Sequence, residues 1–374
     1  MRSLRIENAL DILYGCTVLG TGGGGSLEKG IAKITENFDE GKTLLLASLT
    51  DVPDSEVVVS PYYVGSISPI EKRVKKDLPV KIENEILHAF ETLEKFMNKK
   101  FYGSIPTELG GGNTAAAMDV AMNKGIKLID ADPAGRSVPA VQHSSFYIEN
   151  VSIAPLSVVS KFGDVIIINE VVDDFRAEEI IRSIATQSEN SVAVVSQPVQ
   201  GSLLKKVVIP NTISLAEKIG RVLRTSRNEK KDPVKEIMKV GNGFFLFEGR
   251  VSKDTDWKDD HGYTVGEFEI EGDQNFTGHE YKIWFKNENI ISWLDGKPDV
   301  TAPDLICVVE RETGYAVTNP NLSEGTKVAV IGFKSSNEWR KSKALEIFTP
   351  KSFGFDIPFQ PIETIHKEFE RGRV

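Results

Sequence analysis

Between positions 130 and 143 the chain places Asp130, Asp132, Arg136, Gln142 and His143, side chains able to orient an amide, activate water, hold a carboxylate and move a proton near neutral pH. The same Asp-x-Asp-Pro segment also suits an ordinary Asx turn that Arg136 neutralises. A second group stands upstream, where Glu108 leads into Gly110-Gly111-Gly112-Asn113-Thr114. A third is the run at 20–25, Gly-Thr-Gly-Gly-Gly-Gly, with Gly22, Gly23, Gly24 and Gly25 at its end. Glycine lets backbone N–H groups approach a ligand but costs the most chain entropy on folding, so two such runs need an explanation. A helix starting at Asn113 or Thr114 would aim unsatisfied N–H groups at an anion, or be capped by those two side chains.

Other groups carry less. Cys16, on an apolar helical stretch, reads as a small buried hydrophobe, and Cys307 as strand core. Ser26, Ser66 and Ser68 offer hydroxyls near glycines without a nucleophile-elbow pattern. His261 and His279 stand among Asp259, Asp260, Asp273 and Glu280 as loop residues. Glu288 and Asp304 read as turn or strand-edge residues able to reach across a domain cleft.

These groups must be held by elements legible in the spacing of apolar residues. Helical periods occur at 4–19, 26–37, 81–97, 113–123, 175–189 and 213–225, and strand-like runs at 43–47, 56–63, 101–106, 126–130, 151–159, 164–172 and 191–196. Strand, glycine loop, helix and strand at 101–130 form an α/β crossover unit, whose acidic loop falls at a strand's carboxyl end, where open α/β sheets bind ligands. The first glycine run follows a helix, not a strand, and no Gly-Lys-Ser/Thr closes it, so neither a dinucleotide fingerprint nor a P-loop fits. From about residue 242 the pattern changes to short strands at 243–251, 265–271, 280–285, 289–293, 305–310 and 327–333. The expected architecture is therefore an α/β N-terminal domain over 1–165 and a second domain over 166–374, α/β at its start and then β-rich, with a soft boundary between about 160 and 240.

Composition fits that reading. A chain of 374 residues exceeds the usual size of a single core, and 40% hydrophobic with 26% charged residues is ordinary for a globular protein. The net charge of −9 disfavours nucleic acid and anionic membranes, and the short basic runs at 72–76 and 227–231 read as solvated faces. Two distant cysteines exclude a disulfide framework, and no signal or membrane-spanning stretch is evident, so a cytoplasmic location is expected.

Taken together, the segments Gly15-Cys16-Thr17-Val18-Leu19 with the first glycine run, Glu108-Leu109-Gly110-Gly111-Gly112-Asn113-Thr114 and Ile129-Asp130-Ala131-Asp132-Pro133-Ala134-Gly135-Arg136 with Pro139 and Gln142 resemble a family named after S-methyl thiohydantoin desulfurase. Thr212-Ile213-Ser214-Leu215-Ala216, Asn287-Glu288-Asn289, Pro303-Asp304-Leu305-Ile306 and Phe353-Gly354-Phe355 extend the likeness over nearly the whole chain. The resemblance implies an α/β domain joined to a β-rich one and a hydrolytic C–S cleavage that removes a methylthio group. Ser26 and Ala140 stand where the family pattern carries acidic residues, which implies a different substrate or lost activity.

The reading predicts a cleft lined by both glycine loops. Gly22 to Gly25, Gly111, Gly112, Asn113, Thr114, Arg136 and Gln142 would bind a planar cyclic amide, and Asp130, Asp132, His143 and Glu108 would supply the acid–base chemistry. No cofactor is expected. The alternatives are a metabolite-binding protein or accessory subunit, and a metal-dependent amidohydrolase, although no second histidine or cysteine lies at ligand spacing. The expected partners are a small-molecule substrate, a second copy in a homo-oligomer and, by the resemblance, a hydantoinase- or oxoprolinase-like protein.

Overall fold

The computed structural model describes residues 1–67, 77–226 and 228–366. Ser68, the basic run 72–76 and Arg227 lie outside them. The first half builds a mixed eight-stranded sheet in the order Arg2–Leu4, Leu44–Ala47, Lys127–Ile129, Gly103–Ser104, Val57–Gly65, Ser191–Gln200, Leu156–Val159, Val165–Ile168. Leu44–Ala47 through Val57–Gly65 run parallel, and the flanking pairings are antiparallel. A parallel strand is covered on both faces and so reads as a continuous apolar run, which is how Val57–Gly65 is buried along nearly its full length. Helices Ile6–Leu19, Leu27–Asp39, Glu85–Met97 and Gly111–Lys124 pack on one face, and Asp174–Gln187 and Gly201–Val207 on the other.

The second half is an antiparallel sheet in the order Lys297–Thr301, Glu288–Leu294, Glu280–Lys286, Tyr263–Gly272, Phe244–Val251, Lys327–Phe333, Leu305–Glu310, with Asp256–Asp260 beside Tyr263–Gly272. One face closes on an aromatic core containing Phe247, Phe268, Tyr281 and Phe285. From the other, Cys307, Val309, Ala329 and Ile331 join the core built around helices Ile6–Leu19 and Thr212–Ser226. The two halves therefore share one hydrophobic core. Those two helices cross so closely that a Cβ on Gly15 would lie 1.8 Å from the Ala216 carbonyl oxygen, and one on Gly220 1.8 Å from that of Asp11.

The α/β half followed by a β-rich half is as the sequence leads one to expect. Several boundaries move. Residues 2–4 are an edge strand paired with Leu44–Ala47, and the strand expected over 101–106 shrinks to Gly103–Ser104. Helix Gly111–Lys124 begins inside the glycine run with Gly110 as its cap, so neither Asn113 nor Thr114 caps it. Helix Pro233–Gly241, capped by Asp232 with proline in its first turn, lies where no element was expected. No helix among the described residues is long and apolar enough to cross a membrane.

Candidate functional site

The two glycine runs converge, backbone against backbone. A Cβ on Gly110 would lie 2.3 Å from the Gly24 Cα, and one on Gly112 would lie 2.9 Å from that of Gly25. Gly24 also sits at φ +80, a conformation that costs side-chain-bearing residues dearly. Its carbonyl oxygen accepts from the amides of Gly112 (2.9 Å) and Asn113 (3.1 Å), the first turn of helix Gly111–Lys124. Those N–H groups are thus engaged by the protein, which removes them as the oxyanion donors expected from the sequence. The second domain pins the first run from outside: the Asn289 amide donates to the Thr21 carbonyl (2.7 Å) and the Asn319 amide to that of Gly22 (2.8 Å).

This junction forms one wall of a cleft of about 1060 Å³ at the carboxyl ends of Gly103–Ser104 and Val57–Gly65. Gly22, Gly23, Gly24, Gly25, Glu108, Gly112 and Asn113 line it, and so do Ser26 and Ala140. Two glutamates meet there. Glu108 comes from the loop after Gly103–Ser104 and is 5% exposed; Glu288 opens strand Glu288–Leu294 of the second sheet and is 2% exposed. Asn113 Nδ2 donates to Glu108 Oε1 (2.7 Å) and the Val138 amide to Oε2 (2.7 Å). The Glu288 carboxylate accepts from the Gly24 amide, while its Oε2 has no hydrogen-bond partner.

Burial pushes the Glu108 carboxyl up to about 7, against the pull of its two donors. Burial, and next the charge of Glu108, holds Glu288 well above the ordinary carboxylate range. Both carboxyls are thus shifted toward the protonated form, and a negative charge on Glu108 adds to the rise at Glu288. The cleft lining carries another buried glutamate with the contrary outcome. Burial raises Glu178, but the Arg182 guanidinium at 2.6 Å, the Val141 amide and the Tyr263 hydroxyl outweigh it and leave the carboxyl below its usual value.

Within the Asp130 to His143 segment only Val138, Pro139, Ala140 and Val141 line the cleft; Asp130, Asp132, Arg136, Gln142 and His143 lie outside its lining, in the junction on which the loops rest. Asp130 holds the start of helix Thr212–Ser226 through the Ser214 amide (2.9 Å) and hydroxyl. Asp132 Oδ2 accepts from the amides of Ala134 (2.9 Å) and Gly135 (2.7 Å), its other oxygen lies beside the Thr212 hydroxyl, and burial raises it to about 6. Arg136 cannot clamp a substrate carboxylate, because its guanidinium donates to the carbonyls of Ser137, Pro303, Asp304 and Asn289 and to Thr21 Oγ1. That uses all five of its N–H bonds.

His143, expected to move protons near neutral pH, is buried against the Phe348 ring at 4.7 Å, and desolvation drops it to about 3. Gln142 is buried beside it, outside the cleft lining. Thr114 Oγ1 accepts from the Gly110 amide (3.2 Å), and Gly111 packs on Leu27; neither lines the cleft.

The remaining groups have partners within the fold or lie buried or exposed away from the glutamate pair, although Ser26 and Ser66 also line the cleft. Burial raises the Cys16 and Cys307 thiols to about 12. Ser26 caps helix Leu27–Asp39 through the Lys29 amide (3.3 Å), and Ser66 bonds Thr264 (2.9 Å). His279 pairs with Asp295 at 2.7 Å on the surface, and His261 is an exposed turn residue. Asp304 is fully buried and bound to Ser335, Arg340 and the Ile362 amide, so of the two residues able to reach across, only Glu288 arrives. Its sequence signal was a charged residue between two asparagines at a strand start, which looks like turn chemistry. Among the described residues no group of three or more His, Cys, Asp and Glu is placed to hold a metal ion.

Comparison with known families settles the kinship. The profile of the S-Me-THD-like N-terminal domain matches residues 7–170, and that of the S-Me-THD-like C-terminal domain matches residues 172–362. The chain belongs to the S-Me-THD-like family. Its two glycine runs and Glu108 lie in the S-Me-THD-like N-terminal part, and Glu288 in the C-terminal part. No curated protein matches the chain. A crystal structure of a protein from Chromobacterium violaceum has the same fold, at 19% identity and a TM-score of 0.77, covering 97% of this S-Me-THD-like chain and 100% of its own.

Proposed function

We propose that this protein is a hydrolase that removes the methylthio group of an S-methyl thiohydantoin or a close cyclic relative, with Glu108 and Glu288 as its acid–base pair. The observation that carries this reading is the meeting of two buried glutamates from two domains in one cleft, one with both oxygens facing donors and one with a free oxygen. Glu108, held by Asn113 and Val138, takes a proton from water as its oxygen attacks the ring carbon bearing sulfur. Protonated Glu288 gives its proton to the ring nitrogen. On collapse Glu288 recovers a proton from the new hydroxyl, the C–S bond breaks, and Glu108 returns its proton to the leaving methanethiolate. The products are the hydantoin and methanethiol, and the pair ends in its starting state. Acid–base help of this kind contributes roughly 10²–10⁴-fold.

The test is incubation of the purified protein with S-methyl thiohydantoin, thiohydantoin and hydantoin in ¹⁸O-water. The expected result is release of methanethiol and one ¹⁸O in the hydantoin from the first substrate alone. Unchanged substrates, with binding seen by calorimetry, would replace this reading with that of a metabolite-binding protein.

A further inference from the structure

The geometry points to Asn113 as the positioning residue that decides which of the two glutamates is the base. The inference rests on the function proposed above, but its geometry stands apart from any substrate. The backbone N–H of Tyr63 donates to Asn113 Oδ1 at 2.9 Å. An amide N–H can only donate, so it fixes the Asn113 side chain with its oxygen toward Tyr63 and its NH₂ toward Glu108. Asn113 Nδ2 then lies 2.7 Å from Glu108 Oε1, and the Val138 amide 2.7 Å from Oε2.

Both oxygens of Glu108 therefore face groups that only donate. A proton on either oxygen would be driven against an N–H, whereas the carboxylate form accepts both bonds. Glu288 has one oxygen free of any partner, and that oxygen can carry the proton. The asymmetry of the pair is thus written in the neighbours of Glu108, with Asn113 as the only side chain among the described residues that bonds it. The charged groups that face Glu108 are Glu288 across the domain junction, and Asp132 and Arg136 from the loop beneath. All three sit on other elements and are unaltered by a change at 113.

Asn113→Asp keeps an oxygen toward Tyr63 and turns the other, now an acceptor, toward Glu108. The two carboxyls must then share a proton across the short contact. The direct readout is ¹³C NMR titration of glutamate side-chain carboxyls in the wild type and N113D, with E108Q assigning the Glu108 signal. The expected result is an upward move of the Glu108 midpoint by one pH unit or more in N113D, with a fold preserved by circular dichroism. An unchanged midpoint overturns the inference. Should N113D fail to fold, Asn113→Ser, which removes the donor to Glu108 without adding charge, must also raise the midpoint. Where turnover is measurable, N113D moves the acid limb of the rate profile upward, whereas a merely structural role would lower the rate equally at every pH. An active E108Q would overturn the catalytic reading and leave the titration result standing.

Discussion

Two regions of this protein are dense in buried polar side chains, and they spend them differently. In the junction from Asp130 to His143, Arg136 gives every N–H to backbone carbonyls and Thr21, Asp130 secures a helix start, and Asp132 closes its own loop. In the cleft, Glu108 and Glu288 are left without a cation at hydrogen-bond distance, and one oxygen of Glu288 has no partner. Asp132 Oδ1, Gln142 Oε1 and His143 Nδ1 in the junction also lack partners, so an unpartnered atom alone does not mark the site; what sets the glutamates apart is that both line the cleft. The difference separates the residues that build the site from those that would act in it.

The comparison can be broken most forcefully at Arg136. Arg136→Met removes a buried cation that ties Thr21 of the first glycine loop to the carbonyls of Pro303, Asp304 and Asn289 in the second domain. Its expected cost is about 3–5 kcal/mol in unfolding free energy by urea titration. A loss under 1 kcal/mol would deny the junction its structural role.

On the cleft side, Gly23→Ala is the matching change. Gly23 has no positive φ, but a Cβ there would lie 1.9 Å from Glu288 Oε1, so the carboxyl must move. A displacement of about 1 Å at a reacting group costs on the order of 10²-fold. The expected result is that loss in kcat/KM, and wild-type kinetics would show that Glu288 need not sit where it does.

A smaller effect distinguishes the two regions by pH. His143 is held neutral by burial, falling from 6.5 to about 3. Between those values the unfolded chain binds the proton and the folded one does not, so its stability is present above about 6.5 and is lost as pH falls toward 3. His143→Phe should flatten that acid loss in urea midpoints compared at pH 7 and pH 4. Glu108 has the opposite sign. Raised from 4.5 to about 7, it favours the folded state below 4.5 and gives that up as pH rises through 7, so E108Q should gain stability at pH 8 relative to the wild type. An unchanged slope in both variants would mean that neither region is buried as described.

The sequence carries the general plan because its signals are local. The valine-rich run of Val57–Gly65, the helix before Gly20 and the change to short strands after residue 242 all follow from the spacing of apolar residues. The edge strand Arg2–Leu4 has no such signal, since three residues show no period and only pairing with Leu44–Ala47 makes them a strand.

The candidate site was half legible. Glu108 and the glycine runs stand out as motifs, but the glycines are there largely because two backbones touch, at Gly24 with Gly110 and at Gly25 with Gly112. Asp130, Asp132, Arg136 and His143 look catalytic in sequence because a domain junction needs the same charged and polar types as an active site. Glu288 lies 180 positions after Glu108, and only the packing of the second sheet against the first glycine run brings it in.

The central claim is that chemistry resides in the glutamate pair and architecture in the junction. The most direct measurement compares two equally conservative changes, E288Q and D132N, by methanethiol release and thermal melting of both proteins at pH 8. The account predicts that E288Q loses at least about 10²-fold in kcat with its melting temperature held or raised, while D132N, which still accepts from Ala134 and Gly135 through one oxygen, keeps its kcat. An inactive, fully stable D132N beside an active E288Q would contradict it.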